Sequence, residues 1–347
     1  PAARSSGLEA AQGGVEGMAR DSRRARCRTS RASGPGPPWW LVVSVSPSAD
    51  VELPRPPDRP RRLVYFGTPA AAVPPLDALV GAGLDVVLVV SRADRRRGRR
   101  ADLSPSPVKA RALDLGLEVT TDIYRALDVG ADCGIVVAYG RLIPTEVLAQ
   151  IPMLNVHFSL LPRWRGAAPV ERALLAGDNC TGVCLMGLEP SLDTGPLYRS
   201  DELTIGPDET ADQLRERLVV LGAAQLVDAL HGGLGEPTPQ SGEPVYAAKI
   251  GRDDLELHYE HPASELHRVV RVGGAWTTFR GRLLKVHQAA PVLLPAPGPI
   301  GVLNGLTVRC AEGGLALEVV QPEGKARLDA ASWANGARPL PGEKLGA

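Results

Sequence analysis

Long apolar runs are missing from this chain. A membrane-crossing helix needs ~20 consecutive apolar residues, and the longest early candidate, "WWLVVSVS" (39–46), is too short, so no spanning segment is expected. Net charge is missing as well: 39 basic residues balance 39 acidic ones, so the surface as a whole advertises neither nucleic acid nor membrane. Aromatic residues are sparse at 4%. The five cysteines, Cys27, Cys133, Cys180, Cys184 and Cys310, include no CxxC pair with a matching second pair. That spacing argues against a zinc site, and no metal is expected. Cys180 and Cys184, four apart in an apolar run, suit buried thiols in a reduced, cytoplasmic protein. Phosphate loops are absent too. "GTPAAAVP" has neither the Gly-Lys-Ser/Thr ending of a nucleoside triphosphate loop nor the GxGxxG of a dinucleotide site, and no nucleophilic serine elbow is present.

What is present divides into two unlike parts. Residues 1–62 carry 11 Arg against 6 acids, in stretches such as "RDSRRARCRTSRASGPGPP" with no sustained period, and read as a disordered extension. Arg and Ser content of this kind suits a transit peptide, an idea weakened by Glu9, Glu16 and Asp21. The remainder, with 44% apolar residues in the chain overall, can bury two cores. From Leu63 onward, short apolar segments alternate with helical ones: "LVYF", "DVVLVVS", "LEVTTD", "ADCGIVVAYG" and "MLNVHFS" as strands, with helices through "PPLDALVGAG", "SPVKARALDLG" and "PTEVLAQI". This pattern predicts a Rossmann-like, mostly parallel α/β sheet covered on both faces. "TGVCLMGL" and "PLYRSDELTI" add strands, and the helix in "TADQLRERLVVLGAAQLVDALHGG" closes a domain over 63–233. A Pro/Gly-rich linker follows over 234–246, and short strands between Gly and Pro turns predict a small OB-like β-barrel over 247–347.

Side chains two apart on a strand face the same way, so Asn155 and His157 project together from the end of "MLNVHFS". An amide beside an imidazole can hold or protonate an oxyanion. A lone "NxH" is more often a core histidine satisfied by a backbone carbonyl. Asp193, in the "LDTG" turn between two predicted strands, shifts the balance, because a carboxylate there can reach the imidazole and fix its tautomer. On its own, an Asp in such a turn is usually a turn former.

With "NVHFSLLPRWRGAAP" and "LDTG" in view, the chain resembles the folate-dependent formyltransferases. "RWRGAAP" points to the tRNA-acting branch, and the resemblance continues through "GTPAAAVPPL", "GRRADLSPSPVKARA", "VVAYGRLIP" and "GAWTTFRGRLLKV". It implies formyl transfer from 10-formyltetrahydrofolate to the α-amine of methionine esterified to initiator tRNA, with Asn155, His157 and Asp193 as catalytic residues; a monomer is the default expectation. It also implies a folate site at Tyr139, Gly140, Ser159, Leu160, Leu161, Pro162 and Asp193. Phe158 departs from the family pattern, standing where relatives carry a small residue or Pro, and is expected either to pack behind the loop or to narrow the folate site. The Arg-loaded stretch "SRADRRRGRRADLSPSP" resembles the family's basic insertion, placing Arg92, Arg95, Arg96, Arg97, Arg99 and Arg100 on the tRNA. Arg163, Arg165 and Lys249 extend that set, with Arg252, Arg280, Arg282 and Lys285 further candidates, while Trp164 is expected as a hydrophobic prop. The alternatives are a formyltransferase acting on a small amine, such as a nucleotide-linked amino sugar, and a catalytically silent RNA-binding relative.

Overall fold

The computed structural model describes residues 53–96, 102–294 and 296–346. The first strand, β1 (Arg62–Gly67), runs into helix α1 (Val73–Gly81), then β2 (Asp85–Val90). A short ribbon, β3 (Arg95–Arg96) and β4 (Leu103–Ser104), precedes α2 (Pro107–Asp114). The chain continues through β5 (Val119–Thr120), β6 (Cys133–Val137), α3 (Thr145–Leu148) and β7 (Met153–His157). Next come β8 (Arg165–Gly166), α4 (Pro169–Ala176), β9 (Cys180–Gly187), β10 (Leu197–Thr204) and α5 (Ala211–Gly232).

The seven-stranded sheet has the order β10-β9-β7-β6-β1-β2-β5. Its β1, β2, β5, β6 and β7 are parallel, and β9 and β10 form antiparallel pairs at one side. Alternation along β1 sends Leu63 and Tyr65 into the core under α1 and α5, and Val64 and Phe66 into the core on the opposite face. The winding reverses between β1 and β6, and a crevice outside the carboxyl ends of the strands at such a reversal is where ligands bind in open α/β sheets. Helix starts follow local chemistry: Ser106 caps α2 ahead of Pro107, and Thr210 and Gln213 close a capping box on α5.

The second core belongs to β11 (Tyr246–Ala247), α6 (Ala263–Val272), β12 (Trp276–Phe279), β13 (Arg282–Val292), β14 (Leu303–Asn304), β15 (Thr307–Arg309), β16 (Gly314–Pro322), β17 (Leu328–Asp329) and α7 (Ala330–Ala337). Strands β12 to β16 form an antiparallel sheet in the order β12-β13-β16-β15-β14. Its two edges are joined by the last described residues: Leu345 bridges Phe279, and Lys344 bridges Val302. That closure makes the predicted barrel. Among the described residues no helix is long and apolar enough to cross a membrane.

Three differences from the sequence expectation have local causes. Residues 53–61, assigned to the extension, pack on the α/β domain: Asp58 accepts from the Gly235 amide at 2.8 Å, and Asp132 accepts from the Arg61 and Arg62 amides. Their polar composition conceals partners contributed by distant turns, and residues 1–52 lie outside the described set. The strand in "LEVTTD" shrinks to Val119–Thr120, because β5 is the sheet edge and pairs over only two positions. Helix α6 has no counterpart in the sequence expectation, although Pro262 before it, Leu266 and Val270 four apart, and Gly273 after it are helix signals.

Candidate active site

Asn155 and His157 sit at the end of β7, flanked by β6 and β9. Both line a cavity of about 520 Å³ at the carboxyl ends of β6 and β7. His157 is only 6% exposed. Its Nε2 lies 2.9 Å from the Trp164 carbonyl, which can only accept, so Nε2 carries the proton and Nδ1 presents a lone pair. Asp193 approaches Nδ1 with Oδ2 at 3.8 Å, within ion-pair reach and beyond hydrogen-bond length. The same Oδ2 accepts from the Gly166 amide at 2.8 Å, so the carboxylate is held by backbone and faces the ring. Two acceptors facing each other across that gap are mutually favourable only when a proton lies between them. Asp193 has φ of 51°, a left-handed conformation uncommon outside glycine but tolerated by Asp.

The cavity wall continues through Val136, Ala138, Tyr139, Gly140 and the loop to Ile143 on one side, and through Leu188–Asp193 on the other. Tyr139 is buried, edge-on to Phe66, and burial pushes its phenol up while the Arg141 and Arg92 guanidiniums pull it the other way. Of the residues expected to hold folate, Tyr139, Gly140 and Asp193 line this cavity. Ser159, Leu160, Leu161 and Pro162 do not. Ser159 is fully buried and donates to the Arg163 carbonyl, Leu161 packs on Cys184 and Met186, and the Pro162 carbonyl accepts from Val245. Phe158 lines the cavity and packs against the core beneath α5, its ring near Gly222.

The description "Formyl transferase" fits residues 61–230, and "Formyl transferase, C-terminal domain" fits residues 249–338. The chain is 44% identical over 302 residues to the methionyl-tRNA formyltransferase of Jannaschia sp. (strain CCS1), covering 82% of this chain and 99% of that protein. The chain belongs to the methionyl-tRNA formyltransferase family. The enzyme of that name from Paenarthrobacter aurescens (strain TC1) is also 44% identical, over 79% of this chain and 96% of its own. Solved structures share the formyltransferase fold. The N-formyltransferase from Helicobacter canadensis, in complex with folinic acid and dTDP-3-aminofucose, superposes with a TM-score of 0.57 at 15% identity, over 74% of this chain and 98% of its own. HypX from Aquifex aeolicus, in complex with tetrahydrofolic acid, gives 0.56 at 17% identity, over 79% of this chain and 46% of that longer one.

In this formyltransferase the arginines divide by what already holds them. Arg163 is expected on the tRNA, yet its Nε and Nη2 grip the carboxylate of buried Asp178 at 2.9 and 2.7 Å, and its guanidinium stacks over Trp164. Trp164 donates Nε1 to the same Asp178 and packs into the core, the prop expected of it. Arg165 gives Nε and Nη2 to Gln240. Arg280 is paired twice with Glu343. Each of these guanidiniums has a partner within the protein, Arg163 in a mostly buried site and Arg280 at the surface. Arg95 and Arg96 on β3 and Lys249 are exposed, and Arg92 is half-buried near Gly140. Arg97, Arg99 and Arg100 lie outside the described residues. Sequence reading misses two contributors to the site. Gly166 is visible only as part of a motif, while its φ of 116° and a would-be Cβ 2.9 Å from the Ala247 carbonyl show why no side chain fits. Gln240 lies in a stretch whose composition reads as a linker.

Proposed function

We propose that this formyltransferase moves the formyl group of 10-formyltetrahydrofolate onto the α-amine of methionyl initiator tRNA, acting as a cytoplasmic monomer. The observation that carries the catalytic assignment is the meeting of Asn155 and His157, from the end of β7, with Asp193, from the turn between β9 and β10, at one cavity. A volume of about 520 Å³ lies within the ~300–1,000 Å³ usual for ligand pockets. Tyr139, Ile143 and Leu188 offer apolar walls to a pterin ring, and Gly140 lets backbone approach closely. Bound there, the folate donor supplies the formyl carbon.

The chain's residues supply orientation and charge. A free α-amine titrates near ~8, and esterification lowers it, so the attacking nitrogen needs alignment more than a strong base. As the new C–N bond forms, the formyl oxygen gains negative charge, and the Asn155 amide, which lines the cavity, is placed to donate to it. His157 holds its Nε2 proton against the Trp164 carbonyl and accepts the amine proton at Nδ1. The imidazolium so formed faces Asp193, and the proton then passes to the departing folate nitrogen as the old C–N bond breaks. Arg92, Arg95, Arg96 and Lys249, with Arg97, Arg99 and Arg100, bear on the tRNA backbone.

The test offers 10-formyltetrahydrofolate to the full chain with charged methionyl-tRNA or with a nucleotide-linked amino sugar. Formylation of the tRNA is expected. Transfer to the sugar with the tRNA left unmodified overturns the substrate assignment.

A further inference from the structure

We propose that Gln240, in the segment joining the two domains, is a positioning residue that holds the Asp193 turn against His157. The inference rests on the reading of Asp193 as part of the catalytic set. Gln240 reaches the turn with Nε2, which donates to the Asp193 carbonyl at 2.9 Å and to the Gly195 carbonyl at 2.8 Å. Its Oε1 accepts from Arg165 Nε at 3.1 Å and Nη2 at 2.7 Å. Two carbonyls on one side and a guanidinium on the other permit only one orientation of the amide, so it makes four bonds and is fully used.

What Gln240 holds is a conformation the turn does not favour alone. Asp193 sits at φ 51°, and Gly195 packs so tightly on the Gly187 carbonyl that no side chain fits there. A non-glycine residue in this region is uncommon and persists where surrounding structure over-determines it. The linker supplies that structure at three points. Thr238 exchanges backbone hydrogen bonds with Leu197 just past the turn, both at 2.8 Å. Gln240 grips the turn itself. Further on, β11 pairs with β8, fixing the Gly166 amide that donates to Asp193 Oδ2. Backbone and carboxylate of Asp193 are thus both set by residues 238–247. Beyond them, Arg172 of α4 ties the start of the barrel domain through Asp254 and the Ala248 carbonyl. Gln240 does not line the cavity, and it acts on the chemistry through Asp193 without touching the reacting atoms.

The experiment measures single-turnover formylation of methionyl-tRNA by the full chain carrying Gln240→Met, Gln240→Glu, Asp193→Asn, and Gln240→Met with Asp193→Asn. Gln240→Met keeps the shape and removes every bond; Gln240→Glu keeps the acceptor for Arg165 and removes only the donor to the carbonyls. Both should lower the rate roughly 10- to 100-fold, the scale of a catalytic group displaced by ~1 Å, with little change in KM for tRNA. In the Asp193→Asn background, Gln240→Met should cost under about 2-fold, since residues acting as a unit are not additive. Losses that multiply in full, a loss confined to KM, or a Gln240→Glu rate equal to the parent overturns the positioning role. Asp193→Asn at the parent rate overturns instead the catalytic reading beneath it.

Discussion

His157 and Asp178 are both buried polar residues of the same loop neighbourhood, and their surroundings set them apart. His157 keeps one ring nitrogen turned toward a cavity and a carboxylate, whereas Asp178, 4% exposed, spends its oxygens on Arg163 and Trp164. Replacing either should therefore fail differently. Asn155→Ala or His157→Ala should lower the formylation rate at saturating substrate by roughly 10²–10⁴-fold with the fold intact; near-normal turnover would refute the roles. Asp178→Asn leaves the Arg163 guanidinium without its charge partner in a mostly buried site. Breaking such a pair costs roughly 3–5 kcal/mol, to be read as a lower urea midpoint, with the rate per folded molecule little changed. Gly166→Ala combines both faults, since strain at φ 116° and a clash with the Ala247 carbonyl unseat the amide that holds Asp193.

At the scale of elements, the ribbon of β3 and β4 projects exposed Arg95 and Arg96, while Lys109 at the start of α2 anchors its base through Asp94 at 2.8 Å. Charge reversal by Arg95→Glu with Arg96→Glu should raise KM for tRNA and leave the rate at saturation nearly unchanged. Every arginine that pairs with a phosphate should also reduce the slope of log affinity against log salt by about 1 when it is replaced. A salt-independent affinity in the parent protein would count against any such pairing. The elements themselves were readable where period and caps agreed, as in β1, β2, β6, β7 and α5. They were unreadable where pairing partners came from afar, as with β8 and β11, which are two residues each and exist only because they meet.

For the whole molecule, the junction between the domains is polar and holds a titratable imidazole. Arg271 of α6 reaches across to the Gly206 and Pro207 carbonyls, and His267 on the same helix lies 3.7 Å from Asp208. Burial pulls the His267 imidazole below its ordinary 6.5; Arg271 adds to that, and Asp208 and Glu318 oppose it. A group whose folded value is depressed favours the folded state above its unfolded value, so this contribution is complete above pH ~6.5 and is lost as pH falls toward the folded value. The domains should therefore loosen in mild acid, seen as faster proteolysis in the linker below pH ~6.5 than at pH ~7.5, and His267→Gln should flatten that difference. Equal cleavage at both pH values would remove His267 from the junction's stability.

Composition, alternation and helix caps carried the architecture, because a two-residue strand period and a run of apolar residues act locally and need no partner to be recognised. They also carried Asn155 and His157 as a pair, since strand geometry alone aligns them. Nothing local could tell that Arg163 pairs with Asp178, or that Gln240 bonds to a turn 47 positions earlier. Hydrogen bonds and ion pairs are short-range in space, and residue type does not report which distant group will stand within reach. Folding brought those groups together.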